Sequence, residues 1–242
     1  MQRLMVEPNQ VVVAQLRLSP SQQHYLYRVL RLGPGQQFLA LDGRGRQWTA
    51  TLTAVADVVS LEPIAAGLPG PGAAMTLVMA LPKGNGFDEV VRQATELGVT
   101  AIQPVISDRT LAQPNPKKLD RWQRIAAEAT EQSERLLLPD LFPPLAWSEY
   151  LAQPSAGPRW LCVARGDAPH LLAVAQATDP GLPVVVAIGP EGGWTTAEAA
   201  AAVAAGFLPV SLGPHILRAV TAPLAALTLV AAARELAKSN AV

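Results

Sequence analysis

Two segments of the same build constrain this chain more than anything else in it. Val184–Ile188 runs into Gly189-Pro-Glu-Gly-Gly193-Trp194, and Phe207–Leu212 runs into Gly213-Pro-His-Ile-Leu-Arg-Ala-Val-Thr-Ala222. Each reads as an apolar strand, a Gly/Pro turn and the start of a helix. A strand ending in such a turn leaves bare backbone N–H and C=O groups at the carboxyl edge of its sheet, where open α/β sheets bind ligands. Two such loops at one edge describe a pocket built mostly from backbone. Each loop also has a simpler reading. Thr195 and Glu198 form a capping box, Gly206 sits where a C′ glycine belongs, and Pro223 punctuates the start of the last helix. A cap needs one glycine or none, however, whereas Gly189, Gly192, Gly193 and Gly213 imply a backbone held close to something.

The rest of the chain supplies a frame for those loops. Up to about Pro63 it reads as short strands and turns. A hairpin is expected from Phe38–Leu41 and Trp48–Thr53 across Asp42–Gly45, a further strand over Val55–Leu61, and a short helix over His24–Leu32. The glycine- and proline-dense stretch Ala65–Ala74 reads as a linker, which places a boundary near residue 70 and divides the chain into 1–70 and 71–242. Beyond it strands and helices alternate. Thr76–Leu81 is a strand, and Lys83–Gly86 its turn. Phe87, Val90, Val91, Ala94 and Leu97 line one face of a helix stopped at Gly98. Thr100–Ile106 is the next strand, and Lys117 to about Leu137 a longer helix. Strands return at Trp160–Ala164, Val184–Ile188 and Phe207–Leu212. Alternation of this kind argues for a largely parallel sheet with helices on both faces. Periodicity alone points to an unknotted, doubly wound sheet.

Composition removes several classes of function. Nineteen Lys and Arg balance nineteen Asp and Glu, so a general nucleic-acid coat is disfavoured. The balance conceals an asymmetry, because residues 1–50 carry Arg3, Arg17, Arg28, Arg31, Arg44 and Arg46 against only Glu7 and Asp42. That is the composition of a local basic face or of a merely solvated small domain. Cys162 is the single cysteine and reads as a core side chain. His24, His170 and His215 are too scattered for a metal motif, so no metal is expected. The N-terminus shows no continuous apolar leader. The longest apolar run, Ala219–Ala233, is too short to span a bilayer, so no membrane partner and a cytoplasmic location are expected.

Gly189-Pro-Glu-Gly-Gly193 and Leu212-Gly-x-x-Ile-Leu-Arg-x-x-Thr-Ala222 resemble the paired signatures of the RsmE family, 16S rRNA uridine-N3 methyltransferases of the SPOUT class. The likeness extends to Thr95-Glu-Leu-Gly-Val99 with Ile102-x-Pro104. It includes Arg121-Trp122, Ile125, Glu128-Ala129, Glu131-Gln-Ser133 and Arg135. At the front, Met1-Gln-Arg3 and His24 with Arg28-Val-Leu-Arg-Leu-x-x-Gly35 also match. The resemblance implies an α/β fold: a C-terminal trefoil-knot domain preceded by a small PUA-like β-barrel domain that docks RNA. The knot comes from the resemblance and from nothing in the periodicity. It implies S-adenosylmethionine as cofactor, held by Ile188, Gly189, Pro190, Glu191, Gly192, Gly193, Leu212, Gly213, Ile216, Leu217, Thr221 and Ala222. It further implies 16S rRNA in the small ribosomal subunit as substrate and a homodimer formed through the C-terminal domain. One position departs. Where the family usually has glutamate before Thr221, this chain has Val220.

A glycine loop with apolar neighbours suits adenine, which it can meet through backbone groups. There is no Gly-x-x-x-x-Gly-Lys-Ser/Thr phosphate loop, and Glu191 would set negative charge beside a phosphate. For methyl transfer to uracil N3, the anion charge on O2 and O4 calls for a cation, and Arg218 is the candidate. A salt bridge anchoring the last helix is its structural alternative. The proton acceptor is open among Glu191, water and another group. Arg3, Arg28 and Arg31 are the candidate RNA contacts. Two other readings stand beside this one: a non-catalytic RNA-binding protein, suggested by Val220, and an α/β enzyme acting on a small nucleotide.

Overall fold

The computed structural model describes residues 1–64, 72–111 and 116–239; most of the linker expected over Ala65–Ala74 lies outside them. The chain divides into two compact units, Met1–Gly70 with Thr130–Leu138, and Pro71–Ala129 with Pro139–Val242.

The first unit is a curled six-stranded sheet built from β1 (Arg3–Met5), β2 (Val11–Val12), β3 (Gln15–Arg17), β4 (Gln37–Leu41), β5 (Gln47–Leu52) and β6 (Val58–Pro63), in the order β1-β4-β5-β6-β3-β2. The β4–β5 hairpin forms as its alternation requires. Phe38, Ala40, Trp48, Ala50 and Leu52 point into the core with Leu16, Leu26 and Val59, and intervening residues face outward. The helix expected over His24–Leu32 begins earlier, as α1 (Pro20–His24) continued by a π-helical turn over Tyr25–Val29. Its start is set by Ser19, whose hydroxyl accepts from the Gln22 amide, and by Pro20 in the first turn. The strand expected from Val55 begins at Val58, because the Thr53 hydroxyl holds a turn by donating to the carbonyls of Val55 and Val58.

The second unit contains β7 (Met75–Ala80), α2 (Gly86–Glu96), β8 (Ala101–Ile106), α3 (Pro116–Gln132, of which Thr130–Gln132 fall in the first unit), β9 (Asp140–Leu141), β10 (Leu145–Ala146), α4 (Trp147–Leu151), β11 (Arg159–Cys162), α5 (Leu171–Gln176), β12 (Val184–Ile188), α6 (Thr196–Ala204), β13 (Phe207–Val210) and α7 (Ala222–Ser239). Its strands pair in parallel throughout, in the order β10-β8-β7-β12-β11-β13 with β9 beside β8. Alternation along β7 feeds two layers. Leu77 and Met79 pack with residues of α2, α3, α5 and α7, while Val78 and Ala80 pack with Trp147 and Tyr150 of α4 and Ala202 of α6. Parallel pairing brings the loops after β7, β8, β11, β12 and β13 to one sheet edge. Helix α3 stops at Gln132, short of Leu137. Glu134 takes a left-handed φ of 61°, and the amides of Glu134 and Arg135 donate back to the carbonyls of Glu131 and Thr130. That is a Schellman closure without the glycine that usually announces it.

Candidate active site

The loop after β12 is shaped by contacts on three sides. Trp194 closes under Gly189 so tightly that a Cβ there would lie 3.3 Å from the Trp194 amide nitrogen and indole ring. That indole stacks on Trp147 with centroids 4.6 Å apart. Glu191 reaches the loop after β7, where its Oε1 accepts from the Lys83 amide at 2.9 Å. Arg109, in the loop after β8, donates to the Gly192 carbonyl at 2.6 Å. Gly193 has a φ of 67°, which favours glycine, and nothing stands within 4 Å of where its Cβ would be. Behind the loop, Thr195 caps α6 through the expected box. The buried Glu198 carboxylate also accepts from the Asp108 amide at 2.8 Å.

The loop after β13 begins sooner than the sequence implies, since Ser211 and Leu212 lie beyond the end of β13 at Val210. Gly213 has a φ of 115° and open space at its Cβ position. Among the described residues, the backbone amides of Leu212, Ile216 and Leu217 donate to no protein acceptor. Ile216 is 65% exposed, and Leu212 and Leu217 are half-buried. Amides without a protein partner among the described residues, beside apolar side chains and at the same sheet edge as the glycines after β12, suit a flat heteroaromatic base and its ribose. Thr221 and Ala222 open α7, and both their amides donate to the Arg218 carbonyl. The Arg218 guanidinium is exposed and has no ion-pair or hydrogen-bond partner among the described residues, so the anchoring salt bridge does not form here.

Val220 lies against the first residue of α2. A Cβ on Gly86 would come 2.8 Å from its Cγ1, so the departure from the signature is seated against a glycine at the start of α2. The second half of the likeness is structural. The Trp122 indole and the Arg121 guanidinium both bind the buried Asp88 carboxylate, at 2.9 and 2.6 Å, fastening α3 to α2. Sequence reasoning passed over Asp108 and Arg109 and read Lys83 only as part of a turn, because their partners lie far along the chain. The Asp-Arg pair after β8 is the one visible signal of Asp108 and Arg109.

In the first unit, Arg28 and Arg31 are exposed, whereas Arg3 pairs with Glu134 at 2.6 Å. Burial pushes the Cys162 thiol up to about 12, as suits an inert packing residue. His170 accepts from the Leu172 amide and caps α5. Among the described residues no cluster of His, Cys, Asp and Glu could hold a metal ion, and no helix is long and apolar enough to cross a membrane.

Family models place this architecture. Residues 70–231 match the RNA methyltransferase domain, and residues 18–57 match the RNA methyltransferase PUA domain. A ribosomal RNA small subunit methyltransferase E from Synechocystis is 47% identical over 240 residues, covering 96% of this chain and 78% of that protein. The crystal structure of the protein of that name from Neisseria gonorrhoeae, bound to S-adenosyl methionine, has a TM-score of 0.83. It is 34% identical and covers 98% of each chain. A methyltransferase structure from Legionella pneumophila, also with bound cofactor, has a TM-score of 0.84 at 27% identity, over 96% of this chain and 97% of that one. The second unit thus has the SPOUT-type α/β fold with a parallel sheet and the first a PUA-like fold. The chain belongs to the ribosomal RNA small subunit methyltransferase E family.

Proposed function

We propose that this protein transfers the methyl group of S-adenosylmethionine to N3 of a uridine in the 16S rRNA of the small ribosomal subunit. The observation that carries the reading is the pair of loops at one sheet edge. Gly193 and Gly213 present open space there, and the amides of Leu212, Ile216 and Leu217 have no protein partner among the described residues. Those residues, with Ile188, Gly189, Pro190, Glu191, Gly192, Thr221 and Ala222, would hold the cofactor, whose sulfonium supplies the electrophilic methyl group when bound. The choice of uridine N3 comes from the Leu212–Ala222 signature and its likeness to the family.

The chain's own part is to hold uracil in line and to favour its N3 anion. The exposed guanidinium of Arg218, without a partner among the described residues and placed between the Gly213 turn and α7, is suited to the negative charge that develops on O2 and O4. Glu191 keeps one oxygen on the Lys83 amide, which fits a loop-positioning role better than a mobile base. The first unit would dock the substrate through Arg28 and Arg31, with Arg3 contributing through its shared pair with Glu134. A target base must leave its stack to reach such a site, which gives a separate docking surface its purpose. A homodimer through α7, in the cytoplasm, completes the proposal. The non-catalytic reading loses support because Val220 has a packing partner in Gly86 and the two loops keep open space at Gly193 and Gly213.

The test is methyl transfer to small ribosomal subunits that lack the modification, followed by nucleoside mass spectrometry. Appearance of N3-methyluridine in 16S rRNA is the expected result. Cofactor binding without any methylated nucleoside would return the non-catalytic reading to first place.

A further inference from the structure

Strands β8 and β12 are not neighbours, since β7 lies between them. Their loops nevertheless meet. The Arg109 guanidinium donates to the Gly192 carbonyl at 2.6 Å, the Asp108 amide donates to Glu198 at 2.8 Å, and the Thr195 hydroxyl donates to Asp108 at 3.3 Å. The arm of Arg109 lies along Gly192, where a Cβ would come 3.1 Å from its Cδ and 3.4 Å from its Cβ. The peptide joining Gly192 to Gly193 is therefore held at both ends, its carbonyl by Arg109 and its amide by the Pro190 carbonyl at 2.8 Å. A peptide flanked by two glycines otherwise rotates at little steric cost.

We infer that Arg109 is a positioning residue for cofactor binding, acting through the Gly192 carbonyl to hold the Gly189–Gly193 loop in its binding conformation. This rests on the functional reading above. Its hydrogen bond is charge-assisted, and its effect is to spare the bound state the ordering of a flexible loop. Arg109 itself is exposed, so its removal should leave the core undisturbed.

The experiment measures S-adenosylmethionine affinity by calorimetry, steady-state methylation and thermal midpoint for wild type, Arg109→Ala and Arg109→Lys. For Arg109→Ala the cofactor Kd and KM should rise roughly tenfold, with kcat at saturating cofactor within about twofold of wild type. The midpoint should be nearly unchanged. Arg109→Lys, which keeps a cationic donor, should recover most of the lost affinity. A folded Arg109→Ala with wild-type Kd would overturn the inference, as would a loss confined to kcat, which would place the guanidinium on the reacting base or RNA. Recovery by Lys that was no better than Ala would do the same. A wild-type protein that itself failed to bind S-adenosylmethionine would instead remove the functional reading on which this one stands.

Discussion

Gly86 and Val220 show how a single position can be fixed by a neighbour remote in sequence. A Cβ at 86 would stand 2.8 Å from Val220 Cγ1, closer than side chains approach, and Val220 has little length with which to yield. Gly86→Ala should therefore overpack this junction and cost about 1–3 kcal/mol, read as a lower denaturant midpoint. Adding Val220→Ala should return part of that loss, since it removes the clashing methyl group. A double variant no more stable than Gly86→Ala would mean that the two residues do not press on each other. At this scale the sequence was partly legible. Gly189, Gly192, Gly193 and Gly213 stood out because glycine clusters need a backbone reason. The contacts that brace them did not, because the Lys83–Glu191 and Arg109–Gly192 partners are 108 and 83 residues apart along the chain. No local pattern encodes such a separation.

Elements were most legible where periodicity and punctuation agreed. Val184–Ile188 forms as a strand at its expected limits, and α2 stops before Gly98, which has a φ of 92°. The β4–β5 hairpin also matches, and its turn is closed by Asp42. That buried carboxylate accepts from the amides of Arg44 and Arg46 and from the Arg46 guanidinium at 2.8, 3.0 and 2.6 Å. Burial works to raise its pKa, but the Arg46 side chain and the two amides together outweigh it and hold the carboxyl below its ordinary value. A depressed folded-state pKa contributes stability above the unfolded value, near 4, that is lost as pH falls through the folded value. Asp42→Ala should therefore cost about 1–3 kcal/mol at neutral pH, with the gap to wild type narrowing in acid. A gap of constant size in urea titrations between pH about 7 and about 3 would show that the charge on Asp42 is not what holds the turn. Other elements were hidden for physical reasons. The end of α3 is closed by Glu134 in a glycine's conformation, and α4 and α5 are too short to display a helical period.

At the scale of the whole molecule, the first unit carries the exposed Arg28 and Arg31, and the second carries the glycine loops with the exposed Arg218 beside them. On α7, Leu227 and Val230 are buried, while Leu236 is 53% exposed and Leu224 and Leu229 are only half-buried. An apolar helix with an uncovered side favours self-association, so light scattering should return a dimer mass, and a monomer would count against the proposal. The two units should also separate by function. Phosphate contacts position a nucleic acid and weaken with salt, whereas a group acting on a developing anion contributes mainly in the transition state. Replacing Arg28 and Arg31 by glutamate should weaken small-subunit binding at least about tenfold while leaving cofactor affinity nearly unchanged. Arg218→Ala should retain most of the subunit affinity and lose roughly a hundredfold in methylation rate, the scale of one lost electrostatic donor. Both sites are exposed, and the Arg218 guanidinium has no partner among the described residues, so neither change should disturb folding. Titrating both variants with small subunits at several salt concentrations, alongside single-turnover methylation, separates docking from chemistry. If the two variants lost binding and rate in the same proportion, docking and chemistry would share one surface, and the assignment of RNA contact to the first unit would fail.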